Sequence, residues 1–266
     1  MIMDMQVTRE KIIECIRQAV EPLPFVHAYV LGGSDAFGNA DEYSDVDAQL
    51  NVDSEHVDET FAIVEQALEK LSPISRKMIV PEPAWHGHSQ RFYNLRDASE
   101  YHQVDLFVRH EGREPHFDEI EHHGWPVVIC DKQGTLKPRH MDAEELRKKL
   151  TERWPKVRER IEMFGYMVQK ELNRGNPLAA LHFYHGLVLN PLVEALRIKY
   201  RPFRHDWGIR YAHLDLPADV NARLQRLYFP VDADDLQLKY EEARVWFTEL
   251  AGEIDIATLK IEHLPD

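Results

Sequence analysis

The chain has 266 residues and 31.2 kDa, with 46 Asp and Glu against 32 Lys and Arg and a formal net charge of −14. Its 44% apolar fraction supports a buried core and excludes disorder as the default state, and no apolar run approaches the ~18 residues that cross a bilayer. The expectation is a soluble, cytoplasmic protein of one large or two small domains, since Met1 to Met5 lacks the basic and apolar regions of a leader and the negative charge repels nucleic-acid backbones.

Thr8 reads as an N-cap for a helix over Val7 to Val20, whose residues Ile12, Ile13, Ile16 and Val20 share one face. Pro22 and Pro24 end it. Phe25 to Leu31 reads as a strand, broken by Gly32-Gly33-Ser34, and a second strand runs from Asp45 to Val52. Ser54 is placed to cap a helix with the apolar stripe Val57, Phe61, Val64, Leu68 and Leu71. Strands follow over Ile74 to Val80, Gln90 to Leu95, Tyr101 to Val108 and Pro126 to Cys130. Cys15 and Cys130, each among apolar neighbours, suit buried thiols better than a disulfide or a zinc site.

Beyond Gly134 the texture becomes helical. Asp142 and Glu145 form a capping-box pattern, and apolar residues from Leu146 to Leu172 recur at helical spacing until Asn173-Arg174-Gly175, with Pro155 expected to kink or divide the helix. Asn176-Pro177 starts another helix, and Ala218 to Tyr228 and Asp234 to Leu250 are also helical in pattern. The fold class expected is α+β: a mixed sheet with flanking helices over residues 1–140, then a helical bundle over 141–266.

Two stretches of the first half carry chemistry. Asp45 and Asp47, at i and i+2 on a strand, point to one face and present paired hard-oxygen ligands, which asks for a cation. Gly32-Gly33-Ser34, between a strand and a helix, offers open backbone N–H groups and a hydroxyl to phosphate oxygens. Asp105 lies among apolar neighbours in its strand, and an acid there needs a partner or a metal.

In that order, Gly-Ser, then Ser-Asp-x-Asp, then a strand Asp resembles the nucleotidyltransferases of the DNA polymerase β superfamily. The resemblance covers about residues 25–108. It implies that Gly33 and Ser34 hold a triphosphate, that Asp45 and Asp47 ligate Mg²⁺, and that Asp105 completes the metal site or acts as general base. Val127 to Gly134, Tyr200 to Tyr211 and Leu214 to Pro217 are similar to the aminoglycoside and lincosamide adenylyltransferases and their bacterial relatives, a weaker match. The function expected from it is transfer of a nucleoside monophosphate, AMP from ATP above other NTPs, to a hydroxyl of a small molecule, with two Mg²⁺ ions and release of pyrophosphate. A protein acceptor and an inactive nucleotide-binding protein are the alternatives.

Arg201, Arg204, His205, Arg210 and Tyr211 concentrate basic groups in an acidic chain. Arg204, His205 and Arg210 are placed to close over the nucleotide, or else the segment is a loop packed by Phe203 and Trp207 with its arginines paired to local acids. The acidic loop Asp35, Asp41, Glu42 is expected to favour a cationic acceptor. The pairs His86/His88, His122/His123 and His182/His185 lack the further ligands of a zinc site.

Overall fold

The computed structural model describes residues 7–82, 84–113 and 118–263, so the leader reading of Met1 to Met5 lies outside the described residues. The chain divides into two compact units, Met1–His140 and Met141–Asp266.

In the first unit, helix α1 (Arg9–Val20) starts where the Thr8 hydroxyl accepts the Lys11 N–H, and it buries Ile12, Ile16 and Val20. Strand β1 (Val26–Leu31) leads through the one-turn helix α2 (Gly33–Ala36) to β2 (Val46–Val52). Helix α3 (Val57–Leu71) is preceded by a 3₁₀ turn, Ser54–His56, so Ser54 enters the turn instead of capping the helix. The remaining elements are β3 (Ile74–Ile79), β4 (Ser89–Leu95), β5 (Val104–His110), the short α4 (Ile120–His123) and β6 (Val127–Asp131).

The strands form one sheet in the order β3-β4-β5-β2-β1-β6. The β2/β5 pair is parallel and the others are antiparallel. Strand β5 starts three residues later than its composition predicts. The His102 N–H turns back to Ser99 O at 3.1 Å, which makes the stretch before Val104 a turn.

Alternation then separates the two faces. Val46, Ala48 and Leu50 of β2 and Val104, Leu106 and Val108 of β5 are buried in one core with Ile12 and Ile16 of α1 and Phe61, Val64 and Leu68 of α3. Asp47 and Gln49 of β2, with Asp105, Phe107 and Arg109 of β5, occupy the opposite, half-buried positions.

The second unit is helical. Asp142 accepts from the Glu144 and Glu145 N–H groups and caps α5 (Ala143–Phe164), which runs unbroken through Pro155. Thr151 and Pro155 are both exposed, so water can replace the hydrogen bond that proline removes, and the expected division does not occur there. It falls at Gly165 instead. A Cβ at this position would lie 2.5 Å from the Ile161 carbonyl oxygen, and α6 (Met167–Asn173) starts beyond it.

Helix α7 (Pro177–Phe183) passes through a π-helical stretch, Tyr184–Leu189, into α8 (Asn190–Tyr200). The short α9 (Ala212–Asp215), α10 (Ala218–Tyr228) and α11 (Ala233–Glu253) complete the unit around Leu150, Leu192, Leu196 and Leu227. The fold class is α+β, and among the described residues no helix is long and apolar enough to cross a membrane.

Candidate functional site

The open face of the sheet brings three acids together. Asp47 of β2 and Asp105 of β5 are register partners across the parallel pair, and parallel partners project to the same side. Asp45 precedes β2 by one residue and hydrogen-bonds Asp47, raising its pKa. Among the described residues none of these carboxylates forms an ion pair with a cationic side chain.

Their electrostatics follow from that arrangement. Burial first, then the charges of Asp45, Asp105 and Asp35, push Asp47 up to about 7. Burial also raises Asp105, to about 6, against the opposing effect of a hydrogen bond from Gln90. Two acids held this high in one place constitute a site that is one cation short.

The turn after β1 lies against the same carboxylates. The Gly32 N–H donates to Asp47 O at 2.9 Å, which ties the turn to β2. Gly33 adopts φ +51°, and a Cβ there would fall 1.7 Å from Asp47 Oδ2. Only glycine brings the backbone this close to the acid. The next residue, Ser34, has a buried Oγ without a hydrogen-bond partner. Together with the N–H groups of the first turn of α2, which have no intrahelical acceptors, that hydroxyl suits an anion's oxygens beside the carboxylates.

The donor set therefore fits both halves of a metal–phosphate ligand: hard carboxylate oxygens for a divalent ion, and a glycine-lined turn with a lone hydroxyl for phosphate.

Several neighbours escape a reading of the sequence alone. Arg9, at the start of α1, donates from Nε to Asp45 O at 2.8 Å and pairs with the Asp35 carboxylate. Asp35 thereby has a cationic partner within the unit. Asp41 accepts from the Ser44 hydroxyl and the Tyr43 N–H, so of the acidic loop expected to attract a cationic acceptor, Asp35 is paired with Arg9 and Asp41 serves the loop itself. Gln90 Nε2 donates to Asp105 Oδ1 at 2.7 Å, a contact that only the β4/β5 register reveals. A narrow pocket continues along this face, lined by Gly32, Gln49, Arg109 and His123 among others.

The basic segment of the second unit is built differently. Arg204 is 5% exposed, donates to Asp215 Oδ1 at 2.8 Å and stacks over Trp207. His205 Nδ1 lies 3.7 Å from Glu194 Oε1, and Arg153 grips both oxygens of that carboxylate.

Arg197, which is fully buried, organises the loop. It donates to Asp215 Oδ2 at 2.8 Å and to the carbonyls of Gly208 and Arg210, which brackets Tyr211 in its left-handed conformation at φ 54°. Arg204 and His205, expected to close over the nucleotide, each lie against a carboxylate of their own unit. Arg210 is exposed beside the Trp207 and Tyr211 rings and forms no ion pair among the described residues. A signal for Arg197 does exist in the sequence, a charge set directly between Leu196 and Ile198, but its partner Asp215 is distant in sequence.

No protein-family model and no curated protein matches the chain. Its structure is similar to that of an aminoglycoside 6-adenyltransferase from Bacillus subtilis, at 12% identity over 92% of this chain and 89% of that one, with a TM-score of 0.37.

Proposed function

We propose that the first unit carries a nucleotidyltransferase site that moves a nucleoside monophosphate, AMP from ATP, to a hydroxyl of a small molecule. The observation that carries this reading is the in-register pair Asp47/Asp105, joined by Asp45 and lacking a counter-cation, beside a turn whose glycine leaves no room for a side chain.

Asp45 and Asp47 would hold Mg²⁺, which when bound neutralises charge on the phosphates and on the departing pyrophosphate. Gly33 and Ser34 bind the phosphate chain through backbone N–H groups and the Ser34 hydroxyl. Arg9 fixes the Asp45 backbone and screens Asp35, so the approaching triphosphate meets fewer uncompensated charges. In the transfer, the acceptor oxygen forms a bond to the α-phosphorus while the bond to the bridging oxygen breaks. Pyrophosphate leaves with that electron pair. The hydroxyl proton passes to Asp105 Oδ2, because burial makes this carboxylate a stronger base than an ordinary one while Gln90 occupies Oδ1.

The test is calorimetric titration of ATP with and without Mg²⁺, on the wild type and on the double variant Asp45→Asn, Asp47→Asn. Mg²⁺-dependent affinity in the wild type, lost in the variant, is expected. Equal affinity in all four conditions would overturn the site. Pyrophosphate release with each of the four NTPs across a panel of hydroxyl acceptors, cationic sugars included, then identifies donor and acceptor.

A further inference from the structure

A run of polar side chains leaves Asp105 and ends in the segment before β4. In the antiparallel β4/β5 pair Gln90 stands opposite Phe107 and Phe92 opposite Asp105. Gln90 is therefore a diagonal neighbour of Asp105 on the same face, within reach of a long side chain, and its Nε2 donates to Asp105 Oδ1 at 2.7 Å. His86 packs on Phe107, the cross-strand partner of Gln90, which sets its ring beside the Gln90 side chain.

His86 is 4% exposed and packs edge-on against Phe107, with 5.0 Å between ring centres. Its Nδ1 accepts the His88 backbone N–H at 3.2 Å, while its Nε2 is buried without a hydrogen-bond partner.

Polarity fixes the direction of the run. An amide has one donor end and one acceptor end, and a carboxylate takes the donor end. Oε1 of Gln90 is then left for a donor. With Nδ1 of His86 already accepting, a neutral ring carries its proton on Nε2, the atom that can meet that oxygen. Burial holds His86 below the usual histidine range, so the ring is neutral near pH 7. The reverse amide orientation would set a carbonyl oxygen against a carboxylate oxygen.

We infer that Gln90 and His86 are positioning residues for Asp105: His86 orients the Gln90 amide, and the amide pins Asp105 Oδ1 so that Oδ2 is the oxygen presented to a cation or to the acceptor's proton. This rests on the reading of Asp105 as part of a nucleotidyl-transfer site. Neither residue touches a reacting atom. Each acts through the carboxylate, as groups that orient a metal ligand do, and loss of such groups costs about 10- to 100-fold in affinity or activity.

The experiment uses Gln90→Leu, His86→Leu and His86→Gln in the full chain, with two readouts. The first is hydrogen exchange of the Gln90 side-chain amide by NMR, which needs no turnover. The second is kcat and KM for Mg-ATP. In His86→Leu the Gln90 amide should exchange at least about tenfold faster, and kcat should fall about tenfold with KM within about twofold of wild type. Gln90→Leu should lower kcat at least as much. His86→Gln, which returns an N–H donor close to the Nε2 position, should recover most of both losses.

Unchanged amide exchange in His86→Leu overturns the role of His86. Unchanged kcat in Gln90→Leu and His86→Leu, with an active wild type, overturns the positioning role and leaves nucleotidyl transfer standing. A wild type that neither binds Mg-ATP nor releases pyrophosphate overturns the functional reading, and the exchange data still decide whether His86 orients Gln90. Should His86→Leu melt more than about 5 °C below wild type, the half-buried Gln90→Leu carries the decision.

Discussion

Three carboxylates on the sheet face lack a cation, whereas three guanidiniums in the helical unit gather on a single carboxylate. Burial and the charge of Asp45 raise the proton affinity of Asp47 and Asp105, and the cluster lies beside an unpartnered Ser34 hydroxyl. Arg197, Arg201 and Arg204 all approach Asp215, whose side chain is 3% exposed, and backbone carbonyls take up further donors of Arg197. Both are dense charge clusters in one chain. The first is an electrostatic debt that a ligand can settle, and the second is already settled within the fold. Function is read from the unsatisfied cluster and stability from the satisfied one.

The largest effect that separates them is expected from Asp47→Asn. Under the proposed function it removes a metal donor, so transfer should fall by at least about 10³ in a pyrophosphate-release assay, because such ions contribute several kcal/mol of charge stabilisation. The same change removes a buried charge whose neighbours repel it. The ligand-free protein should therefore melt higher, by an amount on the order of 1–2 kcal/mol, since one pKa unit is worth about 1.4 kcal/mol. A variant with lower melting temperature and normal turnover would reverse the assignment of this cluster.

Arg197→Met probes the other side. It leaves Asp215 with Arg204 and the more distant Arg201, and it releases the carbonyls of Gly208 and Arg210. Breaking a buried pair of this kind costs about 3–5 kcal/mol, read as a drop in denaturant midpoint. Retained Mg-ATP binding by the folded fraction is expected.

Gly33→Ala tests the close approach. Strain at φ +51° and the clash with Asp47 Oδ2 should cost about 1–3 kcal/mol of stability and weaken Mg-ATP binding, both measurable by calorimetry in the presence and absence of nucleotide.

A pH series sharpens the contrast without mutation. The folded-state pKa values of Asp47 and Asp105, about 7 and about 6, exceed the 3.8 of an unperturbed aspartate. Between roughly pH 4 and 7 the native state thus binds more protons than the unfolded chain, and ligand-free stability should decline as pH rises through that window. Saturating Mg²⁺ should reduce or abolish the decline, because the ion replaces the protons. Chemical denaturation at pH 5 and pH 8, with and without Mg²⁺, reads the difference.

The smallest effect is expected from Arg210→Ala, an exposed residue, at within about 0.5 kcal/mol of wild type. A several-fold rise in KM for Mg-ATP would restore Arg210 to the nucleotide site that its sequence context predicts.

How far the sequence reaches differs between the two clusters. Period-two alternation in Asp45 to Val52 puts Asp47 opposite the core, and period-3.6 stripes in α1 and α3 identify the helices that cover the other face. Those are local regularities, so they survive without knowledge of contacts. The Gly-Gly-Ser turn is legible for the same reason: its conformation is a property of a few consecutive residues.

Tertiary structure decided the pairings. Asp105 meets Asp47 only because β5 lies parallel to β2 in a particular register, and Gln90 reaches Asp105 only through the β4/β5 ladder. Arg204 looks like a phosphate ligand by residue type, and helix α9 delivers Asp215 to it across 11 positions as an ion-pair partner. Residue chemistry is written in the sequence, whereas the presence or absence of a partner is a distance, and distances between remote residues are set by strand register and helix packing.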